Sequence, residues 1–102
     1  MRFNAVAAAA SEQYAELAPI ITGKPAAGDT ATTTAALVRY LETLIGELEL
    51  PATLAAMNIE ASALPMLAAD AMLQQRLLVN NPREVTETDA LSIYQAAHGA
   101  AA

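Results

Sequence analysis

An all-α fold, a small bundle of about five helices, is what this sequence predicts, and three observations carry it. Apolar residues recur at helical spacing in several stretches, best of all from Leu37 to Leu48. No stretch alternates apolar and polar residues with period two. Alanine, the strongest helix former, supplies much of the 55% apolar content. The 102 residues read as a single helical domain, 1–102, with a shallow core. Alanine buries little area, and one Phe, three Tyr and no Trp leave Leu, Ile, Met and Val to fill the interior. Such a domain is expected to lean on a partner.

From Ala7 to Ile21 the pattern is helical, with Tyr14, Leu17, Ala18 and Ile21 along one face. Pro19 lies inside this run; it lacks a donor and clashes with the preceding turn, so a kink or an end near Ala18 is predicted. Gly23 to Gly28, carrying Lys24 and Pro25, reads as a loop. Asp29 or Thr30 then caps a second helix running to about Leu48. Leu37, Leu41, Leu44, Ile45 and Leu48 form its stripe, and Arg39, Glu42, Thr43, Glu47 and Glu49 fall largely off it.

Pro51 suits the first turn of a short helix through Met57, where its missing N–H is not needed. Asn58 and Ile59 make a turn. Ser62 offers a cap for a fourth helix, with Pro65 in its first turn and Leu64, Leu67, Ala68, Ala71 and Met72 on one face. The polar turn Asn80, Asn81, Pro82, Arg83 leads to Thr86, with Asp89 three residues on, just before an apolar run. This is a capping box: the Thr86 hydroxyl accepts from the Asp89 N–H, and the Asp89 carboxylate accepts from the Thr86 N–H. It opens a last helix with Ala90, Leu91, Tyr94 and Ala97 facing inward. The alanine tail beyond Gly99 is expected to fray.

The formal net charge of −6, with Arg2, Lys24, Arg39, Arg76 and Arg83 scattered, argues against nucleic acid. Without cysteine there is no disulfide framework, thiolate metal site or Cys nucleophile. The apolar stretches fall far short of a membrane span, and the early alanine run is too weakly apolar for a signal peptide. A soluble, cytoplasmic protein is the expectation. The lone histidine, His98, sits near the terminus without an acidic partner at helical spacing and is expected to be solvent-exposed. Ser11, Ser62 and Ser92 lack a nearby base, and Glu47/Glu49 and Glu84/Glu87 read as solvated surface. No glycine-rich loop follows a strand. The sequence offers no catalytic residue, no metal ligand and no cofactor-binding residue.

The closing pattern, Asn81-Pro82-Arg83-x-Val85-Thr86-x-x-Asp89-x-Leu91-x-x-Tyr94-x-x-Ala97, resembles the last segment of the iron-containing (group III) alcohol dehydrogenases. Met1 to Ala5 (MRFNA) is similar to the family's stretch after its last metal-binding histidine motif. Glu12 to Leu17, Leu41 to Leu54 (LETLIGELELPATL) and Met57 to Leu67 follow in the family's order. Two departures stand out: Pro19 falls in a helix usually unbroken, and the Gly23–Gly28 loop carries an extra proline.

The resemblance implies the distal part of a C-terminal helical domain, separate from the α/β domain that binds NAD(P). Iron, or another divalent metal, would be held in the complete enzyme by one Asp and three His, all upstream of the position matching Met1. This chain alone would bind neither metal nor NAD(P) and would be inactive. Leu77, Leu78, Val79 and Asn80, just before the Asn-Pro-Arg turn, would lie near the cleft between domains as a substrate-pocket wall. The implied partner is the N-terminal nucleotide-binding portion; the surplus of apolar surface points separately to a second copy joined through alanine-rich faces, a homodimer. The alternative is a free-standing helical interaction or oligomerisation module without catalysis.

Overall fold

A computed structural model describes residues 1–26 and 28–99, which are mostly helical, with no strand among them. The alanine tail expected to fray lies outside the described residues, as does Ala27 of the predicted loop. Among the described residues six α-helices are present: α1 (Arg2–Ala5), α2 (Ala8–Thr22), α3 (Thr30–Glu47), α4 (Leu64–Ala71), α5 (Gln75–Leu78) and α6 (Glu87–His98). They divide between two compact units, Met1–Glu49 and Leu50–Ala102.

In the first unit α2 packs on α3, and α1 touches both. Its buried apolar residues are few, namely Ala10, Ala18 and Leu37. Polar residues complete the interior. The Ser11 and Thr34 hydroxyls lie 3.1 Å apart, and Thr34 Oγ1 donates to the Ser11 carbonyl at 2.8 Å. Small side chains let the helix backbones approach, and the hydrogen bonds satisfy polar atoms that burial would otherwise penalise. Arg2 pairs with Glu42 at the exposed surface.

Pro19 does not end α2. The helix continues to Thr22, the Gly23 N–H donates to the Pro19 carbonyl at 3.0 Å, and the Thr22 hydroxyl donates to Ala18 O at 2.8 Å. Proline removes one donor at its own position, whereas the bonds beyond it still form. Gly23 then terminates the helix at φ 71°, a conformation that suits glycine. The buried face also differs from the predicted one. Ala18 is buried as predicted and Tyr14 half-buried, but Leu17 and Ile21 are exposed at 47% and 41%, and the packed line continues instead through Ala10 and Ser11. Along α3 the predicted stripe is buried at Leu37 and uncovered toward its end, with Leu48 59% exposed. Asp29 caps α3 as predicted, accepting from the Thr32 N–H at 2.8 Å.

In the second unit α4 packs on α6, with Leu64, Ala68 and Ala90 buried. The short helix predicted after Pro51 is a single 3-10 turn, Ala55–Met57, with the Ala56 N–H donating to Thr53 Oγ1. Ser62 caps nothing: it lies in a second 3-10 turn, Ala61–Ala63, its hydroxyl directed to Glu60, and α4 opens at Leu64 with Pro65 in its first turn. The predicted capping box is present in full, with Asp89 N to Thr86 Oγ1 at 3.2 Å and Thr86 N to Asp89 Oδ2 at 3.0 Å.

The inner face of α6 is displaced by one residue at its end. Ala97 is exposed and His98 is buried, 9% accessible. His98 continues the Ala90, Tyr94 spacing by four, so the same periodicity carries it inward. The expectation of an exposed terminal histidine is thereby corrected.

Candidate functional site

The segment implied as a pocket wall is built on α5, one turn of helix between α4 and the Asn-Pro-Arg turn. Its backbone is held locally: Leu77 and Leu78 N–H groups both donate to Gln74 O at 3.0 Å, and Val79 N donates to Gln75 O at 3.1 Å. The Gln75 side chain donates to Met72 O at 2.6 Å and ties α5 to the end of α4. Asn80 Nδ2 donates to the Arg76 carbonyl at 3.2 Å, closing the far end of the turn. Asn81 Nδ2 reaches the Arg83 carbonyl at 2.6 Å and shapes the proline turn that follows.

The four predicted wall residues do not act alike. Leu77 and Val79 are 61% and 74% exposed, and Leu78 is half-buried. Asn80 is exposed but uses its amide on the backbone of its own segment, so its role is to hold the turn. Leu73, 77% exposed and four residues before Leu77, belongs with the open aliphatic residues although the sequence reading left it out. It directly follows Met72 at the end of the α4 stripe, which hides it in a continuous apolar run. Exposed Leu and Val side chains bracketed by hydrogen-bonded Gln and Asn make an apolar surface on a fixed backbone.

Within α5 the charged side chain is Arg76, exposed beside Leu77. Asp89 is held below its ordinary value of 3.8, first by the Thr86 backbone N–H, then by the Thr86 hydroxyl. This shift belongs to a helix cap, and no acid–base pair accompanies it.

The end of α6 carries a constellation that sequence reasoning missed. His98 Nε2 lies 2.8 Å from the Ile59 carbonyl, which accepts only, so Nε2 carries the proton in this contact. Nδ1 is buried without a hydrogen-bond partner. Leu54 N donates to Ala97 O at 2.8 Å, and Gly99, at φ 75°, lies against Thr53: a Cβ there would come within 2.6 Å of Thr53 Cγ2. Three contacts thus fasten the Thr53–Ile59 loop to the end of α6. The available signal was His98 at four residues beyond Tyr94, followed by glycine.

These residues do not fit an iron site. Among the described residues no group of three or more His, Cys, Asp or Glu converges to hold a metal, and the histidine is committed to a backbone carbonyl. Nor is there a strand followed by a glycine-rich turn for a dinucleotide. No helix of the described residues is long and apolar enough to cross a membrane.

Residues 1–98 match the C-terminal region of the Fe-containing alcohol dehydrogenase family. Long-chain-alcohol dehydrogenase 1 of Geobacillus thermodenitrificans (strain NG80-2) is 40% identical over 60 residues, which cover 59% of this chain and 15% of that relative. The chain thus matches only a small part of the curated relative's length. No solved structure gives a significant match.

Proposed function

Because this chain belongs to the Fe-containing alcohol dehydrogenase family as its C-terminal region, we propose that it is the distal helical segment of a cytoplasmic, NAD(P)-linked alcohol/aldehyde oxidoreductase. It supplies an apolar wall and no reacting group. The observation that carries this reading is the exposure of Leu77 and Val79, with Leu73 beside them in sequence, on a backbone fixed by Gln75 and Asn80. Aliphatic side chains that border a reaction cleft exclude water and contact the carbon chain of a substrate. The relative's name points to long-chain alcohols as the substrate class, which suits a wall of leucine and valine.

The complete enzyme carries out hydride transfer with iron and NAD(P) held by residues outside this stretch. Here the chain acts by shape alone. Its natural partner is the nucleotide-binding portion, received on apolar surface such as Ile20 and Leu48, exposed at 78% and 59%. Metal analysis and an alcohol oxidation assay with NAD and NADP test the proposal on the purified chain. Neither stoichiometric iron or zinc nor turnover is expected; robust turnover overturns it.

The same exposed residues support a second reading, a helical module that covers itself with another copy. Light scattering separates the two. A monomer across the micromolar range supports the dehydrogenase segment, and a stable dimer supports the module.

A further inference from the structure

Among the clefts of the first unit, the one with basic side chains in its lining has no part in the proposed wall. It lies between the last turns of α2 and the face of α3 from Thr33 to Glu47, a half-open groove of about 540 Å³. Small-molecule sites occupy roughly 300–1,000 Å³. The space exists because Ala18, Pro19 and Ala36 present short or compact side chains where longer ones would close the gap. Tyr40 and Leu44 extend the apolar wall. The chain is acidic, yet two of its five basic residues, Lys24 and Arg39, line this cleft. Among the described residues neither makes an ion pair, whereas Arg2 is matched by Glu42. Glu47 also lines the cleft, eight residues beyond Arg39 and so about 12 Å from it along α3.

We propose that this cleft binds an aliphatic monocarboxylate. The carboxylate sits between Lys24 and Arg39, where a guanidinium and an ammonium both offer charge-assisted donors. The carbon chain lies along Ala18, Pro19, Ala36 and Leu44, away from water. Glu47, about 12 Å along α3 from Arg39, repels a second carboxylate at that end of the chain, so the site selects one anionic group and one apolar end.

Amide NMR on the full 102-residue chain tests this with decanoate, decanol and decanedioate below any micelle-forming concentration. Decanoate is expected to shift residues in Ala18–Thr22 and Thr33–Glu47 and to saturate, with the other two binding more weakly. The Lys24→Ala/Arg39→Ala double variant should weaken decanoate about five- to tenfold, as expected for two solvent-facing ion pairs. Ala36→Leu fills the cleft from an exposed position and should abolish the shifts while leaving the melting temperature unchanged. Equal affinity for decanol, an unaltered double variant, shifts spread beyond the cleft, or concentration-dependent shifts at the cleft without ligand would each overturn the proposal.

Discussion

The two units reach stability by opposite means. Met1–Glu49 relies on two long helices whose interior is nearly all small or polar: Ala10, Ser11, Ala18, Thr33 and Thr34, with Leu37 the only large side chain fully buried among the described residues. Leu50–Ala102 has shorter elements and holds them by their ends, through the Thr86/Asp89 box, His98 on Ile59 and Gly99 against Thr53. The first unit depends on close approach of helix faces, and the second on specific contacts at termini. Long helices supply many backbone bonds from their own sequence, while short ones need partners for the groups left open at their ends.

If that contrast is right, one substitution should dominate the first unit. Leu37→Ala removes its one large buried side chain, and a cost of about 2–5 kcal/mol is expected from lost burial and the cavity left behind. Amide exchange should show α2 and α3 losing protection. Wild-type protection in both helices would mean that the Ser11–Thr34 hydrogen bonds, rather than Leu37, hold the unit.

The second unit should break at its terminus. Gly99→Ala places a Cβ within 2.6 Å of Thr53 Cγ2 in a backbone conformation that L residues resist, and about 1–3 kcal/mol is expected from the strain. His98→Leu keeps the bulk but leaves the Ile59 carbonyl without its donor, again about 1–3 kcal/mol. The two should be less than additive, since both release the Thr53–Ile59 loop from α6. Full additivity in a double-mutant cycle would separate the two contacts. Thr86→Ala, at the opposite end of α6, should cost about 1 kcal/mol as an ordinary cap.

What could be read from sequence follows the same division. The α3 stripe, the Asp29 cap and the Thr86/Asp89 box are local: their physics lies within a few residues, so their pattern is visible in one dimension. The Leu37 burial followed from periodicity. The exposure of Leu44, Ile45 and Leu48 did not, because periodicity gives a face and cannot give what covers it. His98 was misread because its partner, Ile59, is 39 residues away and is a backbone carbonyl, which carries no side-chain signature. The segment Leu77 to Asn80 was singled out by resemblance alone. Its division into exposed Leu77 and Val79, half-buried Leu78 and a structural Asn80 depends on the single turn of α5 and on hydrogen bonds no spacing rule announces.

The smallest expected effect compares the caps of the two units directly. Asp29 is held below its ordinary value of 3.8 mainly by the Thr32 N–H, and Asp89 mainly by the Thr86 N–H. A carboxylate depressed on folding adds stability that is complete above its unfolded value and is lost as pH falls through its folded one. Stability from these two groups should therefore be level from neutral pH down to about 5 and decline below about 4. Asp29→Asn and Asp89→Asn keep an acceptor at each position but remove the titration, so each should flatten part of the acid decline. Amide exchange followed from pH 6 to pH 3 assigns each loss to its helix: α3 for Asp29, α6 for Asp89. The α6 change should be the larger. There the carboxylate closes a reciprocal box on a helix of 12 residues, whereas α3 spreads its stability over 18. Acid profiles that superimpose on the wild type for both variants would place the pH sensitivity in other carboxylates. A larger effect at α3 would reverse the distinction between a unit held by its faces and one held by its ends.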